Sequence, residues 1–189
     1  MIDDSEFISS DEVPGPTKEE IRCLLLCKSE ASSNDIVVDI GCGTGGITTE
    51  FAKIVKKVIA IDKNPKAIEL TSKNIQKHNV DKKVDLIESD GISALKSIEN
   101  IDIAIVGGSG GDLENILQII SSKLNPNGRI IITAILVDTK TQAINKLKEL
   151  SFKPKIIEVN ISKGKVLERG VMMEALNPIA IIYSKLNDS

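Results

Sequence analysis

The chain contains few aromatic residues, and this scarcity limits what it can bind. Aromatic residues make up 2% of the 189 residues, and tryptophan is absent. Proteins that bind single-stranded nucleic acid use aromatic side chains as platforms on which bases stack. The formal net charge of −3 also provides no general attraction for nucleic acid or for an anionic membrane surface. We therefore expect neither a nucleic acid nor a membrane as a partner.

Histidine, cysteine and long apolar segments are also scarce. One histidine, His78, and three cysteines have no spacing typical of a metal site or a disulfide framework, so no metal is expected. Cys23 and Cys27 lie one helical turn apart among leucines, which predicts that both are small buried side chains. The longest apolar run, 130–137, is too short to span a bilayer. Because the acidic segment 1–6 differs from the basic start of a signal peptide, we expect a cytoplasmic location.

The most informative segment is a glycine-rich turn that follows a short apolar run. Residues 37–46 read VVDIGCGTGG, which predicts a buried strand, a tight turn and the start of a helix at Gly46. Glycines in such a turn let the backbone bend sharply and approach a ligand closely. Asp62 ends the next apolar run, where a carboxylate binds the ribose of a nucleotide in doubly wound sheets. Together these features predict a site for a cofactor that contains adenosine.

Further features distinguish between the cofactors that such a turn can bind. The glycines alone spell the dinucleotide pattern G-x-G-x-x-G, which leaves an NAD-binding protein open. Asp39 precedes the first glycine by two residues, as in S-adenosylmethionine (SAM) methyltransferases. Asp90 and Gly91 follow the third apolar run and resemble the loop beside the adenine in that class. Tyr183, the sole tyrosine, lacks the lysine four residues later that a short-chain dehydrogenase would have.

Short apolar runs alternate with helical patterns along most of the chain. Strands are predicted near 35–40, 57–62, 83–88, 101–107 and 129–136. This alternation is typical of a doubly wound α/β sheet with parallel strands. The runs 155–161 and 178–183 have no full helix between them, which predicts an antiparallel pair at the sheet edge. The predicted fold class is therefore the seven-stranded Rossmann-like sheet of SAM methyltransferases.

The chain shows no internal repeat, and we predict a single domain over 1–189. Residues 1–16 are predicted to form an N-terminal arm because prolines restrict its end. Thr17 and Glu20 have the spacing of a capping box, which predicts a helix from there to about Ala31. The segment 162–177 connects the last two predicted strands and is a candidate substrate loop.

Several segments outside the glycine-rich turn resemble one family within this class. They are Val13-Pro14-Gly15-Pro16-Thr17, Arg22-Cys23, Ile61-Asp62-Lys63-Asn64-Pro65, Val106-Gly107-Gly108-Ser109-Gly110-Gly111, and Arg169-Gly170-Val171-Met172-Met173 through Asn177-Pro178. Over nearly the whole chain, the sequence is similar to the decarboxylating precorrin C(15)-methyltransferases of cobalamin biosynthesis. In aerobic organisms this activity is typically fused to a C(5)-methyltransferase domain. The chain has no room for one, so the resemblance favours the stand-alone enzyme of the anaerobic pathway.

The resemblance implies a reaction, a set of cofactor-binding residues and partners. It implies that SAM methylates C(15) of cobalt-precorrin-6B and that the acetate group on C(12) leaves as carbon dioxide. The residues it implies for cofactor binding are Thr17, Gly41, Cys42, Gly43, Thr44, Gly45, Asp62, Asp90 and Gly91. It also implies a homo-oligomer, a tetramer by analogy with the family, and a separate C(5)-methyltransferase as a candidate partner enzyme.

Residues for the tetrapyrrole substrate are assigned on weaker patterns. The loop after the fourth strand, where the superfamily places the methyl acceptor, contains Gly107, Gly108, Ser109 and Gly110. Its small side chains leave room for a flat macrocycle, and its backbone amides can bind carboxylates. Arg169, one of three arginines with Arg22 and Arg129, is assigned to the substrate because arginine grips carboxylates with two hydrogen bonds. The alternatives are that residues 107–110 form only a flexible turn and that Arg169 is only a solvated surface charge.

No residue is identified as a catalytic acid or base. Asp39, Glu114 and Glu174 are explained by their places in a strand or helix, and Cys42 has no nearby histidine to activate it. Loss of carbon dioxide would then need only a desolvated carboxylate and an electron-accepting macrocycle. Three alternatives stay open: a SAM methyltransferase of tRNA or protein, an NAD-binding oxidoreductase or nucleotide sensor, and a scaffold without activity.

Overall fold

Strands and helices alternate from residue 19 to residue 159 in the computed structural model, which describes residues 1–186. Residues 187–189, the end of the predicted domain, lie outside the described residues. The α-helices are α1 (Glu19–Ser29), α2 (Gly46–Ile54), α3 (Pro65–Lys77), α4 (Gly91–Leu95), α5 (Leu113–Lys123) and α6 (Val137–Glu149). The strands are β1 (Ile36–Ile40), β2 (Lys57–Asp62), β3 (Val84–Glu88), β4 (Ile101–Val106), β5 (Leu124–Ala134), β6 (Lys155–Val159), β7 (Ser162–Leu167), β8 (Gly170–Ala175) and β9 (Ile179–Lys185).

The main sheet has seven strands in the order β3-β2-β1-β4-β5-β9-β6. Strands β1 to β5 are parallel, and β9 runs antiparallel between β5 and β6. This confirms the predicted sheet and its antiparallel edge. The chain reverses its direction of winding at β1, so the ends of β1 and β4 open a crevice of the kind where doubly wound sheets bind ligands.

Two helical layers cover the sheet, one on each face. Residues of α1, α2 and α3 pack with one set of alternating strand residues, including Val37, Ile103 and Ile131. Residues of α4, α5 and α6 pack with the other set, including Val38 and Ala104. Because successive strand side chains point to opposite faces, these apolar runs fill both cores at once.

The segment 162–177 contains a β-hairpin that the sequence did not lead us to predict. Strands β7 and β8 pair antiparallel with each other and form a separate two-stranded sheet. The amide of Leu176 donates to the carbonyl of Ile161, which closes the base of the hairpin. Most of its side chains are exposed, so the apolar alternation typical of a half-buried strand is absent.

Two predictions about the first helix are wrong. The helix begins at Glu19 with Lys18 as the N-cap, and no side chain caps it, so Thr17 and Glu20 form no capping box. Cys23 and Cys27 are exposed, whereas Ile21 and Leu25 are buried. Both pairs have the four-residue spacing of a helix face, and the bulkier aliphatic pair packs on the sheet because it removes more apolar surface from water.

The N-terminal arm packs against the domain and is held by a buried arginine. The Arg22 guanidinium donates to Asp4 at 2.7 Å and to the backbone carbonyls of Ile2 and Thr17. It also stacks over the Phe7 ring at 4.8 Å. Because its partners lie near both ends of the arm, Arg22 fixes the path of the segment 2–17.

Candidate functional site

A cavity of about 780 Å³ opens at the carboxyl ends of the parallel strands. This volume lies in the range typical of small-molecule sites. Its wall includes the turn after β1, the loops after β2, β3, β4 and β5, the end of the arm at 13–18, and residues that precede β9. Of the predicted site residues, the wall contains Thr17, Gly41, Cys42, Gly43, Thr44, Asp62, Asp90, Gly91, Gly107, Gly108, Ser109 and Gly110.

The glycine-rich turn has the backbone geometry that its sequence predicts. Gly41, Gly43 and Gly45 have φ values of 75°, 58° and 80°, in the left-handed region that favours glycine. A Cβ atom on Gly41 would lie 2.6 Å from the backbone nitrogen of Gly108 in the loop after β4. Gly41 therefore allows the two loops to touch. Gly45 is the N-cap of α2 and lies outside the cavity wall.

The Asp62 carboxylate is held in a fixed orientation by backbone amides. One of its oxygens accepts from the amide of Gly43 and the other from the amide of Asn64, both at 2.9 Å. Each oxygen keeps capacity for a second hydrogen bond, because a carboxylate has about four acceptor sites. The carboxylate at the end of β2 is thus oriented to accept hydrogen bonds from a ligand in the cavity.

Asp90 and Gly91 form the third part of the predicted cofactor wall. The Asp90 carboxylate accepts from the backbone amide of Ser93 at 2.8 Å and caps α4. The hydrogen bonds from Ser93 lower the pKa of Asp90 and keep it ionised. A Cβ atom on Gly91 would lie 3.0 Å from Ile40, so the small residue lets the loop pack closely on β1.

Asn74 connects the arm to the glycine-rich turn and was not predicted as a site residue. Its amide nitrogen donates to the carbonyls of Ile8 and Thr44, and its oxygen accepts from the Ile8 amide. Through this one buried side chain the turn and the arm share hydrogen bonds. No local sequence pattern marks Asn74, because its partners lie far away along the chain.

Cys42 is a packed residue of the turn and not an activated nucleophile. Its side chain is buried, and its sulfur lies 3.6 Å from the hydroxyl of Thr71. Burial and the nearby carboxylates raise the pKa of the thiol, so the reactive thiolate is not formed near neutral pH. This agrees with the sequence-based preference for packing over catalysis.

The loop after β4 lines the cavity with residues 107–110. The amides of Gly107 and Gly108 both donate to the carbonyl of Ile40. Within the described residues, no hydrogen-bond partner is found for the amides at 109–111. Gly110 and Gly111 have φ values of 60° and 99°, so the bend at these residues favours glycine. Consecutive unpaired amides of this kind can bind an anion.

Arg169 lies apart from the cavity. It occupies the turn of the β7–β8 hairpin, and residues of that hairpin do not form part of the cavity wall. The neighbouring lysines are paired within the chain: Lys163 with Asp4 and Glu20, and Lys165 with Glu174. Arg22 and Arg129 are likewise occupied by internal hydrogen bonds. The structure therefore does not bring any of the three arginines to the predicted substrate site.

No predicted acid has the position of a general base. Asp39 is fully buried beneath the turn, Glu114 lies on the exposed side of α5, and Glu174 lies on the exposed hairpin. None of the three belongs to the cavity wall. The carboxylates that do line it are Asp62, Asp90 and Asp112.

Asp39 should make stability depend on pH between about 4 and 6. Burial raises its pKa to about 6, and a hydrogen bond from the Thr48 hydroxyl at 2.6 Å opposes the increase. The folded state then keeps a proton that the unfolded state releases above pH 4. Stability from this group therefore falls as the pH rises through that window, by about 2–3 kcal/mol.

The substitution Asp39→Asn tests this linkage because it removes the titrating group and keeps an acceptor for Thr48. Urea unfolding of both proteins at several pH values from 4 to 7 should show the variant gaining stability relative to the wild type as pH rises. A difference in unfolding free energy between the two proteins that does not change with pH would contradict the raised pKa of Asp39. The variant Asp11→Asn, at an exposed position of the arm, is the control for a carboxylate outside the core.

Several cavity residues were not identified from the sequence. They are Lys18, Lys63, Asn64, Asp112, Ile135, Leu136, Thr139, Leu176 and Asn177. Most of these residues follow a parallel strand, and their position after a predicted strand could have identified them from the sequence. Among residues 1–186, no cluster of metal-binding side chains is found, and no helix there has the length and apolar character that crossing a bilayer requires.

Comparison with known proteins identifies the family. Residues 12–184 match the precorrin methyltransferase domain. A protein of Methanobrevibacter smithii, named a probable cobalt-precorrin-6B C(15)-methyltransferase (decarboxylating), is 63% identical over 182 residues. The match covers 96% of this chain and 97% of that protein.

Two solved structures have the same fold over nearly their whole length. Precorrin 8W decarboxylase of Methanobacterium thermoautotrophicum is 52% identical, with a TM-score of 0.96 and coverage of 98% of this chain and 100% of that one. Precorrin-6Y C5,15-methyltransferase of Geobacter metallireducens is 29% identical, with a TM-score of 0.92 and 98% coverage of both chains. These matches agree with the glycine-rich turn, the oriented Asp62 carboxylate and the sheet order described above. This chain belongs to the precorrin methyltransferase family.

Proposed function

We propose that this chain methylates C(15) of cobalt-precorrin-6B and releases the carboxyl group of the C(12) acetate as carbon dioxide. The supporting observation is a cofactor-sized cavity at the switch point of a methyltransferase sheet, in a chain with 63% identity to a protein named for this reaction. The methyl carbon leaves the sulfur of SAM and bonds to C(15), which loses its proton, and S-adenosylhomocysteine is released. The acetate carbon left after loss of carbon dioxide takes up a proton, so the protons balance. Product formed with ¹³C-methyl SAM should carry the label on C(15) by NMR, whereas label elsewhere would overturn the assignment.

The residues of the turn fit SAM by their shape and hydrogen-bonding capacity. The cradle formed by Gly41 and Gly43 has no side chains in the way of a ligand, and Asp62 is fixed by two amides with acceptor capacity to spare. When bound, SAM would supply an electrophilic methyl group. We propose that Gly41, Cys42, Gly43 and Thr44 hold its methionine end, that Asp62 accepts from the ribose hydroxyls, and that Asp90 and Gly91 lie beside the adenine. Thr17 closes the site from the arm.

The substitution Asp62→Ala is expected to weaken SAM binding by about 2–3 kcal/mol. The change removes two charge-assisted hydrogen bonds to the ribose. Isothermal titration calorimetry of the purified protein measures the affinity, and Asp85→Ala is a control because Asp85 lies on β3, outside the cavity wall. Equal SAM affinity of wild type and Asp62→Ala would show that Asp62 does not bind the ribose. Tight NAD binding without SAM binding would instead favour the oxidoreductase alternative.

An apolar rim beside the cavity supports a macrocyclic acceptor. Ile135 and Leu136 follow β5, line the cavity and are 54% and 67% exposed. Val137 beside them is also exposed. Large apolar side chains grouped at a cavity mouth are typical of a binding surface for an apolar ligand. We propose that the flat face of the tetrapyrrole packs on this rim and that its edge reaches the loop at 107–110.

Loss of carbon dioxide needs no protein base in this proposal. Breaking the carbon–carbon bond of an acetate moves its electron pair into the macrocycle, which can accept it. A desolvated carboxylate is destabilised relative to this transition state, so exclusion of water promotes the step. The remaining acids of the wall, Asp90 and Asp112, are not required to move a proton here.

We further propose that copies of the chain associate into a homotetramer in which the β7–β8 hairpin forms one of two interfaces. Val166 and Val171 are paired in register, and Met173 lies on the same face. These three side chains are 82%, 64% and 61% exposed, which leaves an apolar strip without cover in this chain. A second copy can cover it with the same strip, as the isologous contact of a symmetric oligomer requires.

Replacing Val166 and Met173 by lysine is expected to split the tetramer into dimers, because charges in the strip repel each other and resist burial. Sedimentation velocity measures the mass of wild type and variant in solution. The substitution Ile54→Lys is the control, since Ile54 is an exposed apolar residue at the end of α2. A wild-type protein that sediments as a monomer, or a variant that remains a tetramer, would contradict the proposed interface.

A further inference from the structure

Lys63 reaches across the crevice at the switch point of the sheet. It follows β2, yet its Nζ lies 3.1 Å from the position of a Cβ atom on Gly110, in the loop after β4. Strand β1 lies between β2 and β4, so these strand ends are about 10 Å apart. The side chain is therefore directed over the glycine-rich turn towards the acceptor loop.

The Lys63 ammonium has no carboxylate partner within residues 1–186. The other cationic side chain of the cavity wall, Lys18, lies 3.8 Å from Asp4. The Asp62 carboxylate beside Lys63 in sequence is bonded to two backbone amides. Lys63 is thus a cation at the cavity that the rest of the described chain does not neutralise.

The free amides at 109–111 lie in the same loop that Lys63 contacts. An ammonium group and unpaired amides both bind carboxylates, and together they bind one more tightly than either does alone. Of the acids in the cavity wall, Asp62 and Asp90 lie at the ends of β2 and β3, on the other side of the turn, and Asp112 follows the loop itself. The negative charges of these acids would repel an anionic acceptor, and a positive charge at the loop would offset that repulsion.

We propose that Lys63 and the amides of the loop at 109–111 form a carboxylate-binding site that positions the acceptor. The proposal rests on the proposed function, because it assigns the bound group to an acetate or propionate arm of a tetrapyrrole. The bound arm is one that does not react. An ion pair stabilises a carboxylate relative to the transition state of its decarboxylation, in which the charge moves away. A cation on the reacting acetate would therefore slow the loss of carbon dioxide.

The substitution Lys63→Met tests the site because it removes the charge and keeps the apolar stem. The expected result is a KM for cobalt-precorrin-6B raised about tenfold, with the SAM affinity and kcat close to the wild-type values. Lys63→Arg should restore most of the KM, and the effect of Lys63→Met should shrink at high salt. Lys56→Met is the matched control, since Lys56 is an exposed lysine just before the opposite end of β2.

Binding of uroporphyrin, which carries acetate and propionate arms on each pyrrole ring, separates this inference from the proposed reaction. Fluorescence titration should show weaker binding to Lys63→Met than to the wild type or to Lys56→Met. If the wild type binds uroporphyrin in this Lys63-dependent manner but does not turn over cobalt-precorrin-6B, the reaction fails and the carboxylate site stands. If turnover occurs but neither KM nor uroporphyrin binding depends on Lys63, the carboxylate site is overturned. A loss of SAM affinity alone would assign Lys63 to the cofactor and overturn it as well.

Discussion

Replacing Arg22 by methionine should lower the free energy of unfolding by about 3–5 kcal/mol and also weaken SAM binding. The Arg22 side chain is fully buried, with Asp4 at 2.7 Å and Glu50 at 3.6 Å. Removing the guanidinium leaves the carboxylate of Glu50, which is 3% exposed, with only the Ile2 amide at 2.6 Å and the exposed Lys53 ammonium at 3.8 Å as partners. The carbonyls of Ile2 and Thr17 lose their donor at the same time. Methionine fills a similar volume, so the lost interactions rather than a cavity dominate the effect.

The effect on the cofactor follows from the position of the arm. Residues 13–18 form part of the cavity wall, and Arg22 holds both ends of the arm that leads to them. Release of the arm should weaken SAM binding by about tenfold, as expected for the loss of one good hydrogen bond.

Urea unfolding and calorimetry with SAM measure the two effects of Arg22→Met separately. Arg129→Met is the control, because Arg129 also forms a partly buried ion pair, with Asp35, but lies outside the cavity wall. It should lose stability and keep its SAM affinity. The double variant Arg22→Met with Glu50→Gln should recover part of the stability, since it also removes the buried negative charge that Arg22 partly neutralised. Full stability of Arg22→Met would contradict the assigned role.

Replacing Gly41 by alanine is expected to destabilise the protein by about 4 kcal/mol and to abolish turnover. Its φ of 75° carries a penalty for any residue with a Cβ atom. That Cβ atom would also lie 2.6 to 2.8 Å from three backbone atoms of Gly108, which cannot move as a flexible side chain can. The loops after β1 and β4 would separate, and both ligand-binding walls would shift.

Gly43→Ala isolates the backbone penalty from the clash. Gly43 has a φ of 58°, and a Cβ atom there meets nothing within 4 Å. The substitution Gly43→Ala should lower the free energy of unfolding, measured without SAM, by about 1–2 kcal/mol. Equal destabilisation by the two alanines would show that the contact between Gly41 and Gly108 is unimportant.

The sequence predicted those parts of the fold and site that depend on local patterns. Apolar runs that end in Asp62 and Asp90 placed both carboxylates beside the turn, because parallel strands end at the same edge. The antiparallel edge pair β6 and β9 was predicted from two strand-like runs without a helix between them. Gly41, Gly43 and Gly45 were predicted as a tight turn, and each has positive φ.

Features that depend on distant partners were not predicted. Arg22 was noted only as one of three arginines and as part of a motif, and its burial beneath the folded-back arm was not predicted. The β7–β8 hairpin was missed because neither of its faces is buried within this chain. Its sequence therefore lacks the alternation of apolar and polar residues that predicts a half-buried strand. Arg169 was assigned to the substrate, but it lies on that hairpin rather than at the cavity. Lys63 was quoted only as part of a motif, since its contact with Gly110 crosses two loops.

The central claim is that one polypeptide both methylates and decarboxylates its tetrapyrrole. Mass spectrometry of cobalt-precorrin-6B after incubation with the purified protein and SAM tests it most directly. We expect a product that has gained a methyl group and lost carbon dioxide, and no such product without SAM. An unchanged substrate, in the presence of protein shown separately to bind SAM, would contradict the assigned acceptor.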